Sequence, residues 1–375
     1  MLQAAKEFRI GRPQIFAGLM LLAFLAQCLW AAGTRKLSEL EQVYIACGLG
    51  HVKPEPGTTS AMTAWVAALP LRATRMVRAL APDVWAAALT VPRPWMVRLP
   101  FVVFGLWLGG ALWWVARRLY GDSGGYVALG LYCSSPATVM ISSNIGPEII
   151  VAWSVFGLIY TAIGVAHTLY APPRKWLPRI VILGLSIGFA VSTALWSAVI
   201  VLLALAFMIY LAPQRRGSAL LVVLSATLVG LAVLGFFSWT QATAPSAAWL
   251  NPKPTIDLLA NLKFVFVDDY ALVAMFIAAL TVYGSWTRAR YFGNTAPLLT
   301  AFLVVLVFTL VPALRLWREA LGLSFVFVFI GGVAADLLET AFHRMVSLFL
   351  IAGFLLRIVL GIRTLWLYWV APNPL

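Results

Sequence analysis

The sequence predicts an all-α, polytopic bundle of membrane-spanning helices, with about ten or eleven spans and a large loop after the first. Three observations predict it. Hydrophobic residues make up 62% of the 375-residue chain and charged residues only 11%, against about 25% charged in a soluble domain. Apolar runs near 20 residues recur from end to end, and about that length crosses a bilayer core. Aromatic residues gather near the ends of those runs. The chain has 16 Trp, and Trp30, Trp113, Trp114, Trp176, Trp239, Trp286, Trp366 and Trp369 stand where an amphipathic ring suits the interface.

The first span is predicted over 13–32. Lys6, Arg9 and Arg12 precede an apolar run from Ile15 to Ala32, which is too long for the hydrophobic region of a cleaved signal. Leu25-Ala26-Gln27-Cys28 lacks the small residue that a lipid-modified cysteine expects before it. The run is therefore read as an uncleaved helix. The loop over 33–98 is too long to be an ordinary connection. Within it, residues 58–80 read as an amphipathic helix, with Met62, Trp65, Val66, Leu69 and Val77 on one side. Arg72, Arg75 and Arg78 form a basic row. Such a helix lies in the headgroup plane, where it seals the bundle or steers a lipid phosphate. Further spans are predicted over 99–116, 125–141, 148–169, 178–192, 195–212, 217–239, 270–286, 295–313, 321–338 and 345–369. The pair 178–192 and 195–212 is either a tight hairpin or one broken helix. Gly105/Gly109 and Gly184/Gly188 have the spacing that lets helices approach closely. The whole chain, 1–375, reads as one integral-membrane domain: a loop region 33–98, a helical core 99–212 and C-terminal helices 213–375.

The net charge is +14, from 27 Lys plus Arg against 13 Asp plus Glu. The basic residues fall mostly in short loops: Arg117 and Arg118; Arg174, Lys175 and Arg179; Arg215 and Arg216; Arg288 and Arg290. With the basic N-terminus they mark one side, which the positive-inside rule makes cytoplasmic. The loop 33–98 then faces the opposite side, together with 142–147, 192–195, 240–269 and 314–320. Topology and anionic lipid headgroups account for the charge. No nucleic-acid motif accompanies it, so no nucleic-acid partner is expected. Cys28, Cys47 and Cys133 show neither a disulfide framework nor metal-ligand spacing.

Charge beside a membrane helix is expensive and points to function. Glu39 and Glu41 stand in Ser38-Glu39-Leu40-Glu41, directly after the first span. A carboxylate there acts as general base toward an acceptor hydroxyl or amine, holds a divalent cation, or simply opens a helix at its positive dipole end. Glu148 follows Asn144-Ile145-Gly146-Pro147, where proline and then an acid make a good helix start. The basic counterparts on that side include Lys53, Arg93 and Arg98. There is no phosphate-binding glycine loop, zinc spacing or Ser/His/Asp pattern in a suitable context.

The run Trp95-Met96-Val97-Arg98-Leu99-Pro100 leads into an apolar helix that ends in Ala116-Arg117-Arg118-Leu119-Tyr120-Gly121. Ser134-Ser135-Pro136, Ser142-Ser143-Asn144 and Pro147-Glu148 follow, then Gly188-Phe189-Ala190-Val191-Ser192-Thr193. This succession resembles the GT-C superfamily of integral-membrane glycosyltransferases. It is most similar to the bacterial branch that includes relatives of dolichyl-phosphate-mannose protein mannosyltransferases and the lipid A aminoarabinose transferase. The resemblance is clearest over about residues 95–212 and implies a multi-pass protein of the bacterial inner membrane, with its N-terminus cytoplasmic. It implies sugar transfer from a polyprenyl-phosphate carrier to an extracytoplasmic acceptor. Glu39 or Glu41 would then serve as catalytic base or metal partner and Glu148 as a second acid. Lys53-Pro54 would meet the carrier phosphate, with Arg93 and Arg98 beside it.

The sequence also departs from the family pattern. Glu39-Leu40-Glu41 stands where Asp-Glu is usual, and Ala194-Leu195-Trp196 where a lysine often follows the fifth helix. No counterpart of the additional soluble domain of many members is expected. One methylene moves a carboxylate by about 1 Å, which can cost about a hundredfold in rate. Two alternatives therefore stand beside the transferase: a catalytically inactive GT-C-like subunit or scaffold with membrane-protein partners, and a transporter of a lipid-linked sugar.

Overall fold

The computed structural model describes residues 12–52, 60–80, 93–170, 172, 176–241, 270–285, 297–300, 315–340 and 343–370. These residues form helices joined by turns, and no strand occurs among them. In order, the helices are α1 (Arg12–Thr34), α2 (Glu39–Gly48), α3 (Ala61–Leu80), α4 (Pro94–Cys133), α5 (Pro136–Ser143), α6 (Glu148–Thr168), α7 (Leu177–Thr193) and α8 (Ser197–Leu211). After a short 3-10 turn come α9 (Arg216–Gln241), α10 (Tyr270–Ser285), α11 (Arg315–Leu338) and α12 (His343–Val370). Among the described residues, six helices are long and apolar enough to cross a membrane: α1, α4, α6, α9, α11 and α12. Helices α7, α8 and α10 are apolar but shorter. The protein is a multi-pass membrane helix bundle. The span expected over 295–313 lies mostly outside the described residues.

Two expected spans meet inside α4. Gly121 adopts φ 78° and ψ −174°, a left-handed conformation that glycine reaches without a Cβ clash. The helix kinks there, just after Arg117-Arg118. Its second part stops at Cys133 and resumes at Pro136, so the span expected over 125–141 is two pieces. Proline has no N–H to extend the preceding ladder, yet suits the first turn of the new helix. The stretch around 194 likewise separates two helices. Ala194 is extended (φ −146°, ψ 110°) between α7 and α8.

The chain divides into two compact units that alternate along the sequence. One comprises 1–30, 106–140 and 256–375; the other comprises 31–105 and 141–255. The loop region 33–98 thus falls within the second unit, while the helical core 99–212 is distributed over both.

In the 31–105/141–255 unit, α7 lies tightly on α9. A Cβ at Gly184 would sit 2.7 Å from Val229 Cγ1, and one at Gly188 would sit 2.8 Å from Val233 Cγ1. Lipid tails are as apolar as leucine, so helix association in a bilayer rests on such close packing rather than on hydrophobic burial. Leu158, Val165, Leu183, Ile187, Leu205, Met208 and Val222 fill the space where α6 to α9 meet. Helix α3 packs on protein along its alanines. A Cβ at Gly48 of α2 would overlap Ala64 O and lie 2.8 Å from Ala68 Cβ. Trp65 meets Phe237 of α9 edge-on at 5.4 Å.

In the other unit, Tyr132 lies between Phe24 (5.0 Å) and Phe327 (6.5 Å). Arg357 of α12 is buried. Its Nη1 donates to Leu131 O at 2.6 Å and to Ser134 Oγ at 3.4 Å, and its guanidinium lies 5.1 Å from the Phe327 ring centre. Leu131 is in the last turn of α4, where carbonyls lose their helical donors.

Candidate functional site

The site is built where α1 ends and α2 begins. Ser38 is the N-cap of α2. Its hydroxyl accepts from the Glu41 N–H at 3.3 Å, while its own N–H donates to Glu41 Oε2 at 2.8 Å. This reciprocal capping box satisfies two donors at the helix start and fixes where the Glu41 side chain points. Glu41 is only 4% exposed.

Into that fixed carboxylate comes Arg98, from the first turns of α4 and 1% exposed. Its Nε donates to Glu41 Oε1 at 2.8 Å and its Nη2 to Oε2 at 2.7 Å, a two-point ion pair. Such a planar, bidentate match is the strongest form of carboxylate recognition. The remaining N–H groups reach the carbonyls that close α1. Nη1 donates to Ala32 O (2.8 Å) and Arg35 O (2.9 Å), and Nη2 to Lys36 O (3.0 Å). All five guanidinium donors are thereby engaged.

Glu41 also holds a third segment. Its Oε1 accepts from the Ile145 N–H at 3.0 Å, so the turn before α6 is tied to the start of α2. Burial alone would raise the Glu41 carboxyl. The hydrogen bonds and charge of Arg98, followed by the N–H groups of Ile145 and Ser38, overcome that and hold it below the ordinary carboxylate range. Arg35, half-buried, is held below the usual arginine range by burial and by the Arg98 charge.

Two further groups lie on the segments that the clasp ties together. Glu148, three residues after Ile145, opens α6 and is half-buried. Its carboxylate folds back over Gly146, so that a Cβ there would lie 3.2 Å from the Glu148 Cδ. Tyr44, three residues after Glu41 on the same face of α2, is 3% exposed. Its hydroxyl is pushed up, first by burial and then by the Glu148 charge, against a hydrogen bond from the Ser60 backbone.

An aromatic run continues through the same unit. Phe104 contacts Trp153 at 5.4 Å, Trp153 contacts Phe189 at 5.8 Å, and Phe189 contacts Phe237 at 6.3 Å.

The structure thus joins Glu41, Arg98 and the turn leading to Glu148. Glu39, at the first position of α2, is exposed, and so is Arg93, just before α4. Lys53 lies outside the described residues. Arg35, Tyr44 and Gly146 were not singled out in the sequence. Ser38-x-x-Glu41 carries the capping signal for the start of α2, but nothing local announces a tyrosine on which the charge of an acid about a hundred positions later acts.

Among the described residues, no group of three or more His, Cys, Asp or Glu side chains forms a cation cage. The Glu41 oxygens are occupied by N–H donors. The described residues therefore offer a divalent cation no ready cage.

Residues 85–239 match the family model of the dolichyl-phosphate-mannose-protein mannosyltransferases. No curated protein and no solved structure matches the chain.

Proposed function

We propose that this chain, of the GT-C membrane-glycosyltransferase type by its match over residues 85–239, moves a sugar from a polyprenyl-phosphate carrier to an acceptor on the extracytoplasmic face of the bacterial inner membrane. The observation that carries the reading is the Glu41–Arg98 clasp. It ties the acidic helix after the first span to the turn that presents Glu148.

In this reading the acceptor hydroxyl or amine attacks the anomeric carbon from the face opposite the carrier. The bond from that carbon to the carrier phosphate oxygen breaks, and polyprenyl phosphate leaves with the electron pair. A carboxylate takes the acceptor proton, and the anomeric configuration inverts. Glu148 is the first choice for that base, because it is half-buried and opens α6 directly after the turn that Glu41 holds. Exposed Glu39 is the second. Glu41 serves as anchor, since both its oxygens already accept from protein donors. Arg98 acts through Glu41, because its donors are engaged within the protein. Arg93 and Lys53 are left to meet the carrier phosphate, while Arg72 and Arg75, both exposed on α3, face anionic lipid headgroups.

One observation favours a second reading. The best-formed polar centre, Glu41 with Arg98, is internally satisfied, as expected of a GT-C-like subunit that stabilises a larger membrane complex without catalysis.

The test is sugar release and transfer from a synthetic polyprenyl-phosphate donor by the purified chain in lipid. Glu148→Gln is expected to lower kcat by about 10²- to 10⁴-fold, the usual share of a general base, with Glu39→Gln affected less. Transfer that survives Glu148→Gln and vanishes in Glu39→Gln reassigns the base. Absence of transfer with any donor, together with a stably co-purifying membrane protein, moves the reading to the subunit.

A further inference from the structure

We propose that Gly146 and Tyr44 are positioning residues for Glu148: the absent side chain at 146 is the berth into which the Glu148 carboxylate folds, and Tyr44 faces that berth from α2. Three observations carry this. A Cβ built on Gly146 overlaps Glu148 Oε2 and comes within 3.2 Å of its Cδ, so any side chain there makes the carboxylate, the free end of a flexible side chain, move aside. Gly146 is absent from the positive-φ glycines, which are Gly50 and Gly121. The backbone at 146 therefore suits any L-residue, and the demand for glycine comes from the carboxylate alone. The turn itself is held in place, because Glu41 Oε1 accepts the Ile145 N–H at 3.0 Å while Arg98 holds Glu41.

Tyr44 completes the arrangement. Glu41 and Tyr44 are three residues apart on α2 and share a face. Ile145 and Glu148 are three residues apart at the entry to α6. With Glu41 bonded to Ile145, the next turn of α2 brings Tyr44 toward Glu148, whose charge acts on the Tyr44 hydroxyl. The ring is 3% exposed, so its hydroxyl stays in place rather than turning out to solvent. Glu148 also accepts a hydrogen bond from its own backbone N–H, which holds the carboxylate against the start of α6. The berth selects one orientation for a side chain that would otherwise sample several.

The inference deepens the transferase reading only in its kinetic consequence; the placement of Glu148 is testable without it. The full chain in lipid nanodiscs is treated with a hydrophobic carbodiimide, and modification of each glutamate is read by peptide mass spectrometry. Exposed Glu39 serves as internal reference and Glu148→Gln as the blank. Gly146→Ala is expected to evict the carboxylate and raise Glu148 modification severalfold relative to Glu39. Tyr44→Phe, which keeps the ring and removes the hydroxyl, is expected to raise it by a smaller factor. In the transfer assay, Gly146→Ala should lower kcat by about tenfold to a hundredfold with little change in KM, the signature of a reacting group misplaced by about 1 Å.

Unchanged Glu148 modification in folded Gly146→Ala overturns the berth, and unchanged modification in Tyr44→Phe overturns the role of Tyr44. If Gly146→Ala does not accumulate as folded protein, Tyr44→Phe decides, and an unchanged ratio there overturns the proposal. Altered labelling with no sugar transfer by the wild-type chain upholds the placement and sinks the transferase reading.

Discussion

Two arginines are buried to the same degree in the two units and are held in different ways. Arg98 meets a carboxylate at two points and three carbonyls besides. Arg357 donates to the Leu131 carbonyl and the Ser134 hydroxyl and lies on the Phe327 ring. The first ties the end of α1 and the cap of α2 to α4 and, through Glu41, to the turn before α6. The second closes the end of one interrupted helix. A buried charge contributes little stability by itself, because desolvation offsets the Coulomb attraction. The difference therefore lies in what each charge organises. One assembles a polar site, and the other completes helix α4 where Pro136 interrupts it.

The largest effect is expected at the ion pair. Glu41→Ala or Arg98→Ala alone leaves an opposite charge buried and should cost about 3–5 kcal/mol, read as a large fall in the thermal midpoint in detergent. The double change Glu41→Leu/Arg98→Met should recover much of that loss. It should not recover all of it, because the Ala32, Arg35 and Lys36 carbonyls lose their donors. If both single variants melt like the wild type, the clasp does not anchor the loop.

Arg357→Met comes next. It removes hydrogen bonds from the end of α4. A loss of about 1–2 kcal/mol is expected, in line with hydrogen bonds between membrane helices. A loss as large as that of Arg98→Ala would erase the distinction between the two arginines.

Acid separates them further. A carboxyl depressed in the folded state contributes stability that is present above its ordinary value, here 4.5. That stability is lost as pH falls through the lower native value. Thermal midpoints of the wild type and Arg357→Met should therefore drop together as the pH falls below that ordinary value. Glu41→Leu/Arg98→Met should show a shallower fall. Parallel curves for all three would remove Glu41 from the account.

The smallest effect belongs to a third arginine. Arg72 is exposed, donates to Gly48 O at 2.6 Å and lies 5.9 Å from the Trp65 ring centre. Arg72→Gln should change stability by no more than about 1 kcal/mol. A larger loss would show that the basic side of α3 supports the fold.

The helical architecture was legible because span length and apolar composition are local properties. The breaks were less so. Gly121 sits between two expected spans, and its conformation places the kink there. Pro136 was visible, yet the span over 125–141 was read through it, since apolarity continues on both sides. Helix α3 shows another limit. Its arginine row suggested the headgroup plane, but its contact with α2 rests on Ala64 and Ala68 against Gly48, residues too small to stand out in a hydropathy pattern. At the site, Glu41, Arg98 and Glu148 were all candidates, but as separate groups. That Arg98 belongs to Glu41 depends on a contact across 57 positions, and the hold on Ile145 spans 104. No periodicity reports such distances.

Those two separations also set an order for biogenesis. A chain entering the membrane from its N-terminus has Arg98 available to Glu41 well before it has Ile145. The pair can neutralise itself while α6 is still inside the ribosome, and at ordinary synthesis rates the turn that presents Glu148 arrives a matter of seconds later. The exit of the first helix is then already fastened when its last partner emerges, so the late segment docks onto a finished surface instead of having to create one.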